Sequence, residues 1–217
     1  MTSDSTSEPA GFVSLKQGSS DPEAIGDYYN KWAGSYDETL ATWDYAAPEE
    51  VAALTAPHLE TGAAILDVGC GTGLVSDALA RHGRFDIHGI DLSEASLKQA
   101  EARGTYARLT CYNMKELPLP FADGAFDAAL SVGVLTYIED AEPLLRDLCR
   151  CVRSGGVIAF TQRTDLWQTR NFSALLERLV QDGLWTVLHK SEPRSYLPGH
   201  EDFADEIKVI HTLCQVV

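Results

Sequence analysis

The chain has 217 residues, enough for one domain with a full core, and its 32 acidic residues against 17 basic ones give a formal charge of −15. With no Lys/Arg cluster to interrupt it, that charge repels phosphate backbones and anionic bilayers, so neither nucleic acid nor a membrane is expected as a partner. No run reaches the ~18 apolar residues of a membrane span, and M-T-S-D-S-T-S-E-P-A at the start lacks the basic and apolar regions of a signal peptide.

In chain order, residues 1–21 read as a polar, disordered tail, and residues 22–217 as a single domain. Helical patterns at 22–33, 36–42 and 48–58 come first, the last with proline in its opening turn. Strand and helix then alternate: strand 64–68, helix 74–82, strand 87–90, helix 94–102, strands 106–111 and 126–132, helix 141–151 and strand 157–161. Ser93 is placed to cap the second core helix. A helix at 172–182 stops at Gly183, and a strand at 184–190, a loop at 191–206 and a strand at 207–217 close the chain. This alternation demands right-handed crossovers and a mostly parallel sheet with helices on both faces, an α/β Rossmann-like fold. All the elements such a sheet needs are present, so the chain reads as a complete domain. The five cysteines are odd in number and lack C-x-x-C spacing. They read as buried thiols in a reducing cytosol, hence a cytoplasmic protein.

Residues 65–73 spell I-L-D-V-G-C-G-T-G, an apolar strand, an acid, and glycines at alternate positions before a helix. Gly69, Gly71 and Gly73 let a ligand approach bare backbone, and the next helix points its N–H groups and positive dipole end into the same space. Asp91 ends the following strand, where an acid accepts the hydroxyl protons of a ribose. The plainer readings are a tight turn for the glycines and helix caps for Asp67 and Asp91. A dinucleotide site would need glycine at position 74, which is Leu74.

The D-V-G-C-G-T-G string, with G-I-D-L-S after it, resembles motif I of the class I S-adenosylmethionine-dependent methyltransferases. Y-Y-N-K-W-A-G-S-Y-D, W-D-Y-A-A-P, T-Q-R-T-D and G-L-W narrow the resemblance. They look like the methyltransferase-like family named from the Williams–Beuren syndrome region, across roughly residues 28–185. The resemblance implies a seven-stranded sheet ending in an antiparallel hairpin, S-adenosyl-L-methionine as cofactor and S-adenosyl-L-homocysteine as product. Asn113 stands where such enzymes usually carry an acid for the adenine amino group, and its amide oxygen accepts the same bond. Met114 would lie on the adenine face.

The resemblance also sets the segment at 22–58 as a helical lid. Its aromatics Tyr28, Tyr29, Trp32 and Tyr36 read equally as core and as a wall for the sulfonium, and Tyr28 and Tyr36 are the two assigned to the cofactor. The expected cofactor set is thus Tyr28, Tyr36, Asp67, Gly69, Gly71, Gly73, Asp91, Leu92, Asn113, Met114 and Ser131. Ligands in such sheets sit beyond the carboxyl ends of the strands, which adds Tyr137, Arg163, Trp167 and Tyr196 for the acceptor. No catalytic base is identified; His200 and Glu201 on the 191–206 loop, and Tyr137, are the candidates. His58, His82, His88 and His211 read as structural. No Ser-His-Asp or zinc constellation is present.

The expected activity is methyl transfer to an O, N or S atom of a small molecule. The competing readings are a cofactor-binding protein without turnover, a protein methyltransferase and a nicotinamide-dependent oxidoreductase. Neither the acceptor nor the oligomeric state is legible.

Overall fold

The computed structural model describes Leu15, residues 19–203 and residues 206–217; most of the expected N-terminal tail lies outside the described residues. Helix α1 (Pro22–Trp32) opens with Asp21 accepting from the Glu23 N–H and proline in its first turn, which satisfies a free donor and fixes the backbone. Then come α2 (Tyr36–Thr42), α3 (Ala47–Thr55) and a 3₁₀ turn, Ala56–His58. The core follows as β1 (Ala64–Val68), α4 (Leu74–Ala80), β2 (Asp86–Asp91), α5 (Glu94–Arg103), β3 (Arg108–Cys111), β4 (Phe126–Ser131), α6 (Glu142–Cys151) and β5 (Val152–Arg163). The last elements are α7 (Thr164–Thr169), α8 (Phe172–Gln181), β6 (Trp185–Lys190), β7 (Arg194–Ser195) and β8 (Lys208–Val216).

Among the described residues, the strands form one sheet in the order β3-β2-β1-β4-β5-β8-β6, with the short β7 also paired to β8. Strands β1 to β5 are parallel; β8 runs antiparallel to β5 and to β6. This is the expected mostly parallel sheet closed by an antiparallel hairpin. The continuous apolar run of β1 reflects two covered faces. Ile65 points to the side packed by α3 and α4, while Leu66 and Val68 point to the side packed by α6 and α8. Both Ile65 and Leu66 are fully buried, each worth ~1.5–3 kcal/mol of transfer free energy.

Several elements depart from expectation, the two-residue β7 inside the expected 191–206 loop among them. Strand β5 begins five residues early, because a bulge opposite Phe126 and Ala128 lets it pair on both sides of the Gly155–Gly156 turn. A Cβ on Gly156 would fall 2.5 Å from the Asp127 carbonyl oxygen. Residues 164–169, expected as loop, form α7. Helix α3 packs with α4 against the sheet, Val51 and Ala52 being wholly buried; of the 22–58 segment, only α1, α2 and the Tyr45 turn roof the carboxyl ends of the strands. No helix among the described residues is long and apolar enough to cross a membrane.

Candidate functional site

A cavity opens beyond the carboxyl ends of the parallel strands. At one end the chain leaves β1 at Gly69, and the Gly69 and Cys70 N–H groups donate to the Ile90 carbonyl, 2.8 and 3.0 Å away. Gly69 has φ +73°, and a Cβ there would fall 2.3 Å from a methyl of Val134, so only glycine lets these two loops meet. Asp91, at the end of β2, accepts from the Gly71 N–H and the Ser93 N–H, both at 2.8 Å. Burial raises its pKa, against the pull of these backbone bonds. A carboxylate offers about four acceptor positions, which leaves capacity for a ligand hydroxyl. Leu92, Asn113, Met114 and Lys115 complete this end. The Asn113 side-chain oxygen accepts from the Lys115 N–H at 3.1 Å, which fixes the amide in place.

The other end is aromatic. Tyr29, Trp32 and Tyr36 descend from the roof, Tyr45 follows α2, and Tyr137 and Tyr196 rise from opposite sides. The Tyr29 and Tyr137 hydroxyls are hydrogen-bonded at 2.7 Å, and the Tyr45 and Tyr196 rings meet edge-on at 5.6 Å. Both hydroxyls of the second pair lie over Gly133, whose missing Cβ leaves them room. Burial holds all five phenols above their ordinary pKa, so they stay protonated and act as hydrogen-bond partners rather than bases. Arg163 is buried at this end. Its guanidinium pairs with Asp165 at 2.7 Å, donates to the Leu15 carbonyl at 2.9 Å and lies 5.3 Å from the Phe203 ring centre.

The cavity thus brings together Tyr36, Gly69, Gly71, Asp91, Leu92, Asn113, Met114, Tyr137, Arg163 and Tyr196 of the residues expected from the sequence. The others lie outside its lining. Tyr28 turns into the body of the roof, edge-on to Tyr29 and Trp32. Asp67 sits inside β1, held by the Tyr106 hydroxyl at 2.7 Å. Its other oxygen has no partner among the described residues, and burial pushes its carboxyl up to about 7. Gly73 faces Arg103 and Tyr106 rather than the cavity. Ser131 is buried within the sheet. Trp167 is turned into the core by α7, against Phe172, with its indole N–H on Ser173 at 2.9 Å. His200 lies behind the wall between Trp43 and Phe203, and Glu201 is exposed. Tyr45, Leu15 and Phe203 were not expected, and the structure adds them to the lining. Tyr45 carried a signal as part of the W-D-Y string, and Phe203 lies on the 191–206 loop that the strand-end rule picks out.

The model of the methyltransferase domain family matches residues 66–160. Human methyltransferase-like protein 27 is 39% identical over 167 residues, covering 74% of this chain and 68% of that protein. A ubiquinone biosynthesis O-methyltransferase of Coxiella burnetii is 30% identical over 121 residues, 55% of this chain, and the chain spans about half (49%) of its length. The solved geranyl diphosphate C-methyltransferase of Streptomyces coelicolor, a complex containing S-adenosyl-L-homocysteine, superposes with a TM-score of 0.59 at 16% identity, over 76% of this chain and 79% of that one. The chain belongs, with methyltransferase-like protein 27, to the S-adenosylmethionine-dependent methyltransferase family.

Proposed function

We propose that this methyltransferase acts on an O, N or S atom of a small, largely apolar or aromatic molecule, in the cytoplasm. The observation that carries this reading is the continuity of one cavity from the Gly69, Gly71 and Asp91 end to a pocket walled by five tyrosines. The bare backbone at Gly69 and Gly71 and the acceptor capacity of Asp91 suit a ribose and its adenine, with Leu92, Asn113 and Met114 beside the base. When bound, S-adenosyl-L-methionine supplies a methyl already activated on sulfur, which an acceptor atom takes as the thioether leaves. The chain's own part is to orient the acceptor and keep water out. Tyr36 and Trp32 offer aromatic faces to a cation, each worth ~0.5–2 kcal/mol. Tyr45 and Tyr196 offer neutral hydroxyls to orient the acceptor.

Among the described residues no histidine lines the cavity. Tyr137 is too firmly protonated by burial to serve as base, and His200 and Glu201 lie outside the lining. Catalysis then rests on positioning, and acceptors whose reacting atom carries a lone pair at neutral pH are favoured. The net charge of −15 argues against nucleic acid as substrate, and the O-methyltransferase relative supports a small acceptor.

The test is release of S-adenosyl-L-homocysteine with a panel of small phenols, carboxylates, amines and thiols, beside basic peptides and RNA. Turnover with members of the small-molecule set is expected. Turnover confined to peptides or RNA would overturn the reading, and cofactor binding without transfer to any acceptor would favour the reading without turnover.

A further inference from the structure

The third glycine of the motif makes room for something other than a ligand. Gly73 has φ +97°, and a Cβ there would lie 2.8 Å from Arg103 Cδ, 3.1 Å from its Nε and 3.1 Å from a Tyr106 ring carbon. The arginine that passes over it comes from the last residue of α5, just before Gly104 ends that helix in the left-handed conformation. Its Nε donates to the Thr72 carbonyl, one Nη to Asp77 of α4 and the other Nη to Asp37 of α2. Asp37 in turn accepts from the Thr72 hydroxyl at 2.5 Å. Thr72 is buried, and the Arg103 side chain is 18% exposed, so these charge-assisted bonds are partly shielded from water.

Asp37 is the second residue of the roof helix α2, adjacent to Tyr36 in the cavity wall. Thr72 follows Gly71, whose N–H holds Asp91. One side-chain cluster therefore joins the roof, the glycine turn and the carboxylate at the ribose end. Helix α1 is tied down separately: Asn30 accepts from the Ser93 hydroxyl at 2.8 Å and from the Ala95 N–H at 3.1 Å.

We propose that Asp37, Thr72 and Arg103 form a latch that fastens α2 onto the glycine turn, with Arg103 a positioning residue for cofactor binding although it touches no part of the cavity. Holding α2 down sets Tyr36 against the cavity and fixes the Gly71–Thr72 backbone beside Asp91. Opening the latch frees α2 and loosens the backbone on which Asp91 rests. The left-handed angle at Gly73 already favours glycine, and the latch arginine crosses the space a Cβ would take. This inference rests on the cofactor occupying the Gly69–Asp91 end.

The test combines calorimetric titration of S-adenosyl-L-homocysteine with hydrogen exchange on Asp37→Ala, Arg103→Met, Arg103→Lys and the Asp37→Ala/Arg103→Met double variant. Each of the first two should weaken binding by about tenfold, the loss expected for one charged hydrogen bond. The double variant should be no weaker than the worse single one, because both open the same latch. Arg103→Lys should recover part of the affinity, as it keeps the charge but not the three-way fork. In the empty protein, α2 amides should exchange faster in both single variants while β1 and β4 keep native protection. That readout stands whether or not the ligand sits as proposed. Asp37 is 43% exposed on a surface helix, so its variant reports even if Arg103→Met folds poorly. Native affinity in both single variants, losses that multiply in the double variant, or unchanged α2 exchange would each overturn the latch.

Discussion

Asp67 is a carboxyl that the folded chain prefers to keep neutral, and replacing it by asparagine should remove a pH dependence of stability. It is 1% exposed, with one oxygen on the Tyr106 hydroxyl and the other without a partner among the described residues. Burial is the main force pushing it up to about 7, the Tyr106 bond opposes this, and the nearby Asp91 charge adds to it. In the unfolded chain the same group titrates near ~3.9. As pH rises from about 4, the unfolded chain therefore gives up this proton while the folded chain holds it until about 7. Stability contributed by the neutral form is complete below pH ~4, falls as pH rises through 7, and levels off above. A span of about three pH units, each worth the free energy of one pKa unit, bounds the effect at ~4 kcal/mol, of which roughly half to two thirds develops between pH 5 and 8. Asp67→Asn keeps an acceptor for Tyr106 but cannot ionise. Urea unfolding of both proteins at pH 5 and pH 8 should show the variant gaining ~2–3 kcal/mol relative to the native chain at the higher pH. A stability difference that stays constant across that range would refute the reasoning and place an ionised Asp67 in the fold.

Asp91→Ala should leave the sheet intact and weaken S-adenosyl-L-homocysteine binding more than tenfold in titration calorimetry, since charged hydrogen bonds are worth ~1.5–3 kcal/mol each; an unchanged dissociation constant would remove the ribose role. S-adenosyl-L-homocysteine should raise the melting temperature more than NAD, because Leu74 denies a pyrophosphate its close approach, and occupancy at about 100 times Kd stabilises by ~2.7 kcal/mol; equal shifts would contradict this. Removing residues 1–18 should lower turnover of the acceptor while leaving cofactor affinity nearly unchanged, because Leu15 packs with Leu197 and Phe203 at the aromatic end and its carbonyl takes the Arg163 N–H; native turnover would show that the segment is dispensable.

The alternation of strand and helix, and the glycine turn that meets Asp91, were legible because their causes are local. Gly69 needs its left-handed backbone angle whatever surrounds it, and Asp91 sits at a strand end that apolar alternation marks plainly. The aromatic end was legible only in part, since it is assembled from residues 15, 45, 137, 163, 196 and 203, which no spacing rule connects. Trp167 was misplaced for a definable reason: the rule that ligands lie beyond strand ends assumes a loop there, and α7 instead rotates the indole onto Phe172. Gly73 matched a motif through its left-handed backbone angle, but the Arg103 side chain that crosses it lies 30 positions away, and only the fold reveals that neighbour. The lid expectation ran too far, because helix period alone does not separate α3, packed on α4, from the roof helices α1 and α2.

A crystal structure of the chain with S-adenosyl-L-homocysteine bound would show directly whether the cavity beyond the strand ends is the cofactor site. Ribose hydroxyls are expected on Asp91, adenine beside Leu92, Asn113 and Met114, and the sulfur facing the tyrosine-walled end beneath Tyr36, with α2 still fastened at Asp37. A ligand seated elsewhere, or bound with its ribose away from Asp91 and its sulfur turned from the aromatic end, would contradict this assignment.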